Sequence, residues 1–202
     1  MKKLLVSSAL VLAMASSAVV AEESGAFVGL GYSGKYTSTG KGDAKTDTNS
    51  LAYEILGGYK QFFTESFGLR YYAHFQQEYG STKTGSAKAE TLGHLRYGVN
   101  VDALYNFVNA ESADFGLFAG ARLGLSTQTG TTADEASKID GYKTTDFVAG
   151  LNLGLRGTFA KAHGVELAFH IPLKNHTYLD KGGVKIEDGT RYDASLRYTY
   201  SF

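Results

Sequence analysis

A chain of 202 residues has room for one domain, and its composition is unusual for a soluble globular protein. It contains 25 glycines, 14 tyrosines and 12 phenylalanines but no cysteine, which excludes a disulfide framework and a thiolate metal site. The 20 basic and 20 acidic residues give a formal net charge of zero, so there is no electrostatic case for nucleic-acid binding.

Residues 1–21 have the pattern of a secretory signal peptide. Lys2 and Lys3 precede an apolar stretch from Leu4 to Met14, and small residues follow as far as Ala21. The apolar stretch is too short to cross about 30 Å of hydrocarbon as a helix, which argues against a membrane anchor. We therefore predict cleavage after Ala21, leaving residues 22–202 as the single domain of the mature protein. Its 18 basic and 20 acidic residues sum to −2.

Hydrophobicity then alternates with a period of two, the pattern of a strand with two different faces. The alternating segments are 26–36, 51–63, 67–79, 94–107, 115–125, 147–159, 165–174 and 192–202. A soluble β-sandwich would alternate too, with its apolar face packed inward. However, these segments have about ten or more residues, as tilted membrane strands require.

Aromatic residues also cluster at both ends of the apolar faces, as in the two interfacial girdles of an outer-membrane barrel. The predicted girdles are Phe63, Phe67, Phe107, Phe115, Phe159 and Phe202 at one end, and Tyr32, Tyr36, Tyr53 and Tyr192 at the other. Length, alternation and girdles together predict an all-β fold, a closed antiparallel transmembrane β-barrel of eight strands.

The connections between the segments alternate in length. Those near Thr64–Glu65, Asn109–Ala113 and Lys161–His163 are short, whereas 38–49, 80–91, 126–144 and 175–190 are longer and polar. Short periplasmic turns and long extracellular loops are typical of outer-membrane barrels. The pattern therefore predicts that both termini are periplasmic.

The other face of the segments carries charges that would point into the barrel. They include Glu54, Arg70, Arg96, Asp102, Arg122, Arg156, Glu166, Asp193 and Arg197. Inward glycines would leave space for long arginine side chains; they are Gly98, Gly116, Gly120, Gly150 and Gly154. The interior of an eight-stranded barrel is nearly filled by side chains, so we expect paired charges rather than a conducting pore. The expected pairs are Arg156 with Glu166 and Lys35 with Asp193.

Several short motifs suggest chemistry that their context does not support. Gly29–Gly34 matches the dinucleotide-binding fingerprint, but it lies in a predicted strand with no helix after it. The inward residues His74, His94 and His170 lie on different strands, without metal-ligand spacing, and are expected to form hydrogen bonds in the lumen.

The motifs near the last long loop are no more specific. His176 and Asp180 share this loop, but no serine accompanies them in a hydrolase motif. The sequon Asn175–Thr177 is common by chance. Pro172 predicts a bulge or bend in the seventh strand, because proline removes a ladder hydrogen bond.

Nearly all of the mature chain resembles the Helicobacter outer membrane protein family. The segments that carry this resemblance are Ser24–Tyr32, Gly57–Phe63, Phe67–Tyr72, Tyr97–Phe107, Phe115–Gly120, Asn152–Arg156, His163–Glu166, Ile171–Leu173 and Tyr198–Phe202. The resemblance implies a surface-exposed outer-membrane barrel, and some large members of the family are adhesins or are described as porins. Those members insert a long extracellular domain after the first strand, where this chain has only Ser38–Asn49, so their ligand-binding residues have no counterparts. The ending Tyr200–Phe202 is similar to the signal that the barrel assembly machinery recognises.

We therefore expect a barrel of the Gram-negative outer membrane with a structural or cell-surface interaction role, of which adhesion is one form. No residue is singled out as catalytic, cofactor-binding or metal-binding, and no cofactor is expected. The alternatives are a narrow porin-like channel and, third, an outer-membrane lipid-modifying enzyme. The expected partners are outer-membrane lipids or lipopolysaccharide, the assembly machinery through Phe202, and an unidentified host-surface ligand. Tyr142 and Tyr178 are the only aromatic residues well out in the loops, which are poor in the residues that anchor interfaces.

Overall fold

A computed structural model describes residues 23–39, 46–84, 90–110, 112–174, 176–187 and 192–202. The predicted signal peptide lies outside the described residues. The elements are β1 (Gly25–Thr39), β2 (Thr46–Phe62), β3 (Phe67–Thr84), β4 (Glu90–Asn109), β5 (Ala113–Thr129), α1 (Thr131–Ala136), β6 (Thr145–Phe159), β7 (His163–Lys174), β8 (Thr177–Lys181), β9 (Val184–Glu187) and β10 (Asp193–Ser201). Among the described residues, no helix has the length and apolar character needed to cross a membrane.

Eight strands form a closed antiparallel barrel, as the alternation predicts. Around the ring the order is β1, β10, β7, β6, β5, β4, β3 and β2, and β2 pairs with β1 to complete the closure. Strands β8 and β9 form a separate hairpin outside this ring. Closure satisfies the backbone hydrogen bonds without leaving an open sheet edge in the lipid.

Side chains alternate between the lipid-facing wall and the lumen along each strand. On β1, Phe27 is 2% exposed whereas its neighbour Val28 is 49% exposed. The predicted girdle residues with described side chains are all exposed on the outer wall; the side chain of Tyr36 lies outside the described part. The outward face is therefore apolar and the inward face mostly polar, the reverse of a soluble sandwich.

The three short turns are where the sequence predicts them, but two of the long loops are shorter than expected. Strands β1 and β2 remain paired as far as Thr39 and Thr46, inside the predicted loop 38–49. Strands β3 and β4 remain paired as far as Thr82 and Glu90, inside the predicted loop 80–91. The residues at these strand ends are mostly polar, so hydrophobic periodicity in the sequence stops before the hydrogen-bond ladder does.

The other two predicted loops also contain regular structure. Loop 126–144 contains the end of β5 and the helix α1, and loop 175–190 contains the β8–β9 hairpin. The bulge predicted at Pro172 is confirmed, because Gly150 pairs with Pro172 while Ala149 pairs with Lys174, which leaves Leu173 as the extra residue.

Candidate functional site in the barrel lumen

The lumen contains a balanced set of charged side chains. The inward cations among the described residues that are at most 14% exposed are Lys60, Arg70, Arg96, Arg122, Arg156 and Arg197, and the anions at this level of burial are Glu54, Glu78, Asp102, Asp114, Glu166 and Asp193. All nine charges that the sequence analysis places inside are among these twelve. Six charges of each sign make this described set formally neutral, as enclosed ions must be paired to remain buried.

Arg70 and Glu166 form an ion pair across the centre of the barrel. Arg70 Nη1 donates a hydrogen bond to Glu166 Oε1, and the two residues are 1% and 2% exposed. Arg70 also donates to Asp102 Oδ2, from Nε at 3.1 Å and from Nη2 at 2.9 Å. Strands β3 and β7 are four positions apart in a ring of eight, so this contact joins diametrically opposite walls.

A second ion pair crosses the lumen closer to the long loops. Arg96 Nη1 lies 3.3 Å from Asp193 Oδ2, and β4 and β10 are again diametrically opposite. The same nitrogen lies 3.1 Å from Glu78 Oε2. These three side chains are at most 14% exposed, so the lumen is also crossed by charged groups at this level.

Glu54 is at the centre of a third group of charges. It accepts hydrogen bonds from Arg197 at 2.6 and 3.2 Å and from Ser195 Oγ at 3.1 Å. Arg122 Nη2 lies 4.0 Å from Glu54 Oε2, and Arg122 Nε donates to Asn100 Oδ1 at 3.0 Å. The carboxylate of Glu54 on β2 therefore contacts side chains from two strands that are not its neighbours, β10 and β5.

Amide and imidazole groups connect these charges. Asn152 Nδ2 lies 3.0 Å from Asn100 Oδ1 and 3.2 Å from Asp102 Oδ1. His74 Nδ1 is 2.9 Å from Asn100 Nδ2, and His170 Nδ1 is 3.2 Å from Asn152 Oδ1. The predicted lumenal hydrogen bonding of His74 and His170 is confirmed, and His94 is also buried at 1% exposure. Within the described ranges, no group of three or more His, Asp or Glu side chains could hold a metal ion.

Apolar side chains also fill the lumen, which the sequence analysis missed. The guanidinium of Arg70 lies 4.6 Å from the ring centre of Phe118, 5.0 Å from that of Tyr72 and 5.8 Å from that of Phe27. A cluster nearer the short turns consists of Phe62, Leu104, Phe118 and Ala168. Parity along the strands is the signal that could have identified these residues, since Phe118 has the same parity as Arg122, and Leu104 as Asp102.

Two expected ion pairs have different outcomes. Arg156 lies directly opposite Glu166 in the β6–β7 ladder, so the predicted register is confirmed. The expected pairing is wrong, however, because the hydrogen bond to Glu166 comes from Arg70, while Arg156 donates to Asn106 Oδ1 at 2.9 Å. The expected pair of Lys35 with Asp193 involves a side chain outside the described part.

Inward glycines were expected to leave space for arginine side chains, but the atoms nearest to them belong mainly to the backbone of adjacent strands and to other side chains. A Cβ atom on Gly120 would lie 2.1 Å from the carbonyl oxygen of Val101 and 2.3 Å from Asp102 Oδ1. A Cβ atom on Gly31 would lie 2.5 Å from the side chain of Glu54. Gly31 is part of the dinucleotide-like motif, so that motif is explained by packing inside a strand.

The last two long loops pack together at the long-loop end of the barrel. Tyr142 and Tyr178 stack with ring centres 5.8 Å apart, and His176 stacks on Tyr178 at 4.3 Å. Lys143 N donates to the carbonyl oxygen of Tyr178 at 2.7 Å, and His176 Nε2 donates to that of Lys143 at 3.0 Å. We call residues 137–146 and 176–187 together the loop cap.

Further polar contacts hold the loop cap to the barrel rim and stabilise its hairpin. Asp146 Oδ2 accepts hydrogen bonds from Lys174 Nζ at 2.8 Å and from Thr177 N at 3.0 Å. Hydrogen bonds from Lys185 and Thr177 hold the pKa of the exposed Glu187 carboxyl below its usual value. Tyr178 is 8% exposed, so the aromatic residues considered as interface anchors instead pack the loops against each other.

Comparison with solved structures finds other small outer-membrane barrels. Ail, the attachment invasion locus protein of Yersinia pestis, is 12% identical, with 89% of this chain and 97% of Ail covered and a TM-score of 0.46. OprG from Pseudomonas aeruginosa is 10% identical, with 91% and 96% covered and a TM-score of 0.45. These similarities concern architecture alone. No curated protein sequence matches the chain significantly.

The sequence comparison identifies the family. Residues 54–202, which include six whole barrel strands and the second half of β2, match the Helicobacter outer membrane protein family. The apolar outer wall, the aromatic girdles and the enclosed polar lumen are the features expected of a barrel in an outer membrane. The chain therefore belongs to the Helicobacter outer membrane protein family and is an outer-membrane β-barrel protein.

Proposed function

We propose that this protein is a closed, non-conducting barrel with a structural or cell-surface interaction role and no catalytic activity. The observation that carries the proposal is the pair of ion contacts that cross the lumen between diametrically opposite strands, Arg70 with Glu166 and Arg96 with Asp193. A continuous water path would have to pass both levels and the apolar cluster around Phe118.

The packing of these groups supports a filled lumen rather than a pore. Arg70, Asp102 and Glu166 are each at most 2% exposed, which leaves no water layer beside the central ion pair. A channel selective for ions of one sign would expose an excess of the opposite charge along its wall, whereas the twelve described lumenal charges balance.

The alternative is a narrow porin-like channel, and conductance measurements would distinguish it from the closed barrel. Purified protein in a planar lipid bilayer should give no resolved current steps, whereas a reference porin inserted under the same conditions should give them. Reproducible steps from the wild-type barrel would contradict the proposal and favour the channel.

We further propose that the termini and short turns face the periplasm and that the loop cap faces the exterior. The alternation of short and long connections supports this orientation. Any external ligand would then meet exposed residues of the loop cap such as Ile139 and Ile186, because Tyr142 and Tyr178 stack on each other.

An enzymatic role at the rim has little support from the loop geometry. His176 is 2% exposed, donates from Nε2 to the carbonyl oxygen of Lys143 and stacks on Tyr178. An imidazole held in this way packs the loop cap and is shielded from a substrate.

The proposed partners follow from the exposed surfaces. Lipids, including lipopolysaccharide, would contact the apolar outer wall. The assembly machinery would recognise the C-terminus, because the Phe202 side chain is 77% exposed and contacts Tyr200 edge-on at 5.2 Å. A partner protein can contact an exposed terminal aromatic ring, whereas a ring buried against other side chains is inaccessible.

A further inference from the structure

The lipid-facing wall has a groove along the seam between β1 and β10. Its volume is about 400 Å³. The outward side chains that line it are Leu30, Tyr32, Tyr53, Val165, Leu196 and Tyr198. They come from four consecutive strands in the ring, β2, β1, β10 and β7.

The groove exists because the tyrosines on either side of the seam each contact a residue on the strand farther from the seam, and so lean away from each other. Tyr198 on β10 is hydrogen-bonded through its hydroxyl to His163 Nδ1 on β7, at 2.7 Å. Tyr32 on β1 packs against Tyr53 on β2, with ring centres 5.5 Å apart. The rings are thereby held on either side of the seam, although Tyr198 and Tyr32 belong to directly paired strands.

Backbone rather than side chain forms the floor of the groove. Gly31 and Arg197 are paired residues that line it. Gly31 has no side chain, and that of Arg197 points into the lumen, where it binds Glu54. The groove therefore cannot be filled by either residue, and its depth follows from the lumenal packing.

We propose that this groove binds one fatty acyl chain of a membrane lipid. The groove is continuous with the lipid-facing wall of an outer-membrane barrel, so hydrocarbon is the medium that reaches it. Its lining is aliphatic and aromatic, the chemistry that recognises an acyl chain. Tyr32 and Tyr53 at one end belong to the girdle at the interface, where tyrosine hydroxyls meet lipid headgroups and ester groups.

A single tryptophan can report on the groove, because the natural chain has none. Tyr53→Trp places an indole at the groove, and Tyr97→Trp is the matched control on the lipid-facing side of β4. Each refolded variant is titrated in detergent micelles with a phospholipid brominated on its acyl chains, which quenches indole fluorescence. We expect half-quenching of Tyr53→Trp at a lipid-to-detergent ratio about tenfold lower than for Tyr97→Trp, because burying even two extra methylene groups changes affinity by that order.

Filling the groove tests whether it causes the difference. Leu196→Phe in the Tyr53→Trp background should raise its half-quenching ratio to that of the control. Leu123→Phe, on the opposite wall, should leave Tyr97→Trp unchanged. Val165→Phe replaces Leu196→Phe if the latter fails to give the folded band on an unboiled gel. Equal half-quenching ratios for Tyr53→Trp and Tyr97→Trp, or a difference that persists in the filled variant, would overturn the proposal.

Discussion

The ion pair of Arg70 with Glu166 is the contact whose removal tests the closed lumen most directly. Glu166→Leu removes the carboxylate and keeps an apolar side chain of similar size in its place. Arg70 would retain its two hydrogen bonds to Asp102, at 3.1 and 2.9 Å. Arg70→Met is more disruptive, because it removes the cation that binds both Glu166 and Asp102.

The structure sets the expected magnitudes. Removing one partner of a buried ion pair costs about 3 to 5 kcal/mol, and Glu166→Leu should be near the lower value because Asp102 still compensates Arg70. Arg70→Met should cost about 5 kcal/mol, since it leaves two carboxylates buried at 0% and 2% exposure. The double variant should also cost about 5 kcal/mol rather than the sum of about 8, which is a coupling energy of about 3 kcal/mol.

The assay is urea unfolding of the refolded protein in detergent or lipid vesicles, followed by circular dichroism, for the wild type, both single variants and the double variant. Arg156→Met with Glu166→Leu is the matched control cycle. Arg156 is Glu166's direct neighbour in the ladder but bonds to Asn106, so its coupling should be much smaller.

A water-filled lumen would give a different result. Exposed ion pairs contribute about 0 to 1 kcal/mol, so each single variant would then cost less than about 1 kcal/mol, with no resolved coupling. That outcome would refute the reasoning that the central charges are dry and mutually compensated. Coupling of equal size in the Arg156 cycle would instead show that the barrel responds to any lumenal substitution.

The remaining predictions concern topology, assembly and packing. With Lys138→Cys or Lys161→Cys as the only cysteine, a membrane-impermeant maleimide should label position 138 but not 161 on intact cells, and the reverse result would invert the proposed orientation. Deleting Phe202 should reduce membrane assembly in cells more than refolding in detergent, whereas equal defects would make it an ordinary packing residue. Gly120→Ala should destabilise the barrel by about 1 to 3 kcal/mol in urea unfolding, because its Cβ would lie 2.1 Å from a backbone oxygen. Gly57→Ala, whose Cβ meets nothing closer than 3.6 Å, is its control, and equal effects would argue against lumenal crowding.

The lipid-facing half of this protein could be predicted from the sequence because its determinants are local. Alternation such as that from Phe67 to Phe75 reflects two different solvents on the two faces of one strand, and needs no knowledge of the neighbours. The direct register of Arg156 with Glu166 could also be predicted, since a turn of three residues allows few pairings. The bulge at Pro172 could be predicted because its determinant is also local: proline has no backbone N–H to donate to the ladder.

The contacts between side chains in the lumen depend on the closed tertiary structure. Glu166 lies opposite Arg156 on the neighbouring strand, but its hydrogen bond comes from Arg70, 96 residues away in the chain and on the opposite wall. Which inward charges meet depends on barrel diameter and strand tilt, which the alternation within one strand does not contain. The loop cap is similar, since Tyr142 and Tyr178 stack only because two loops separated by strands β6 and β7 meet at one end of the barrel. Local sequence thus determined which face of each strand meets lipid, while closure of the ring determined which side chains meet each other.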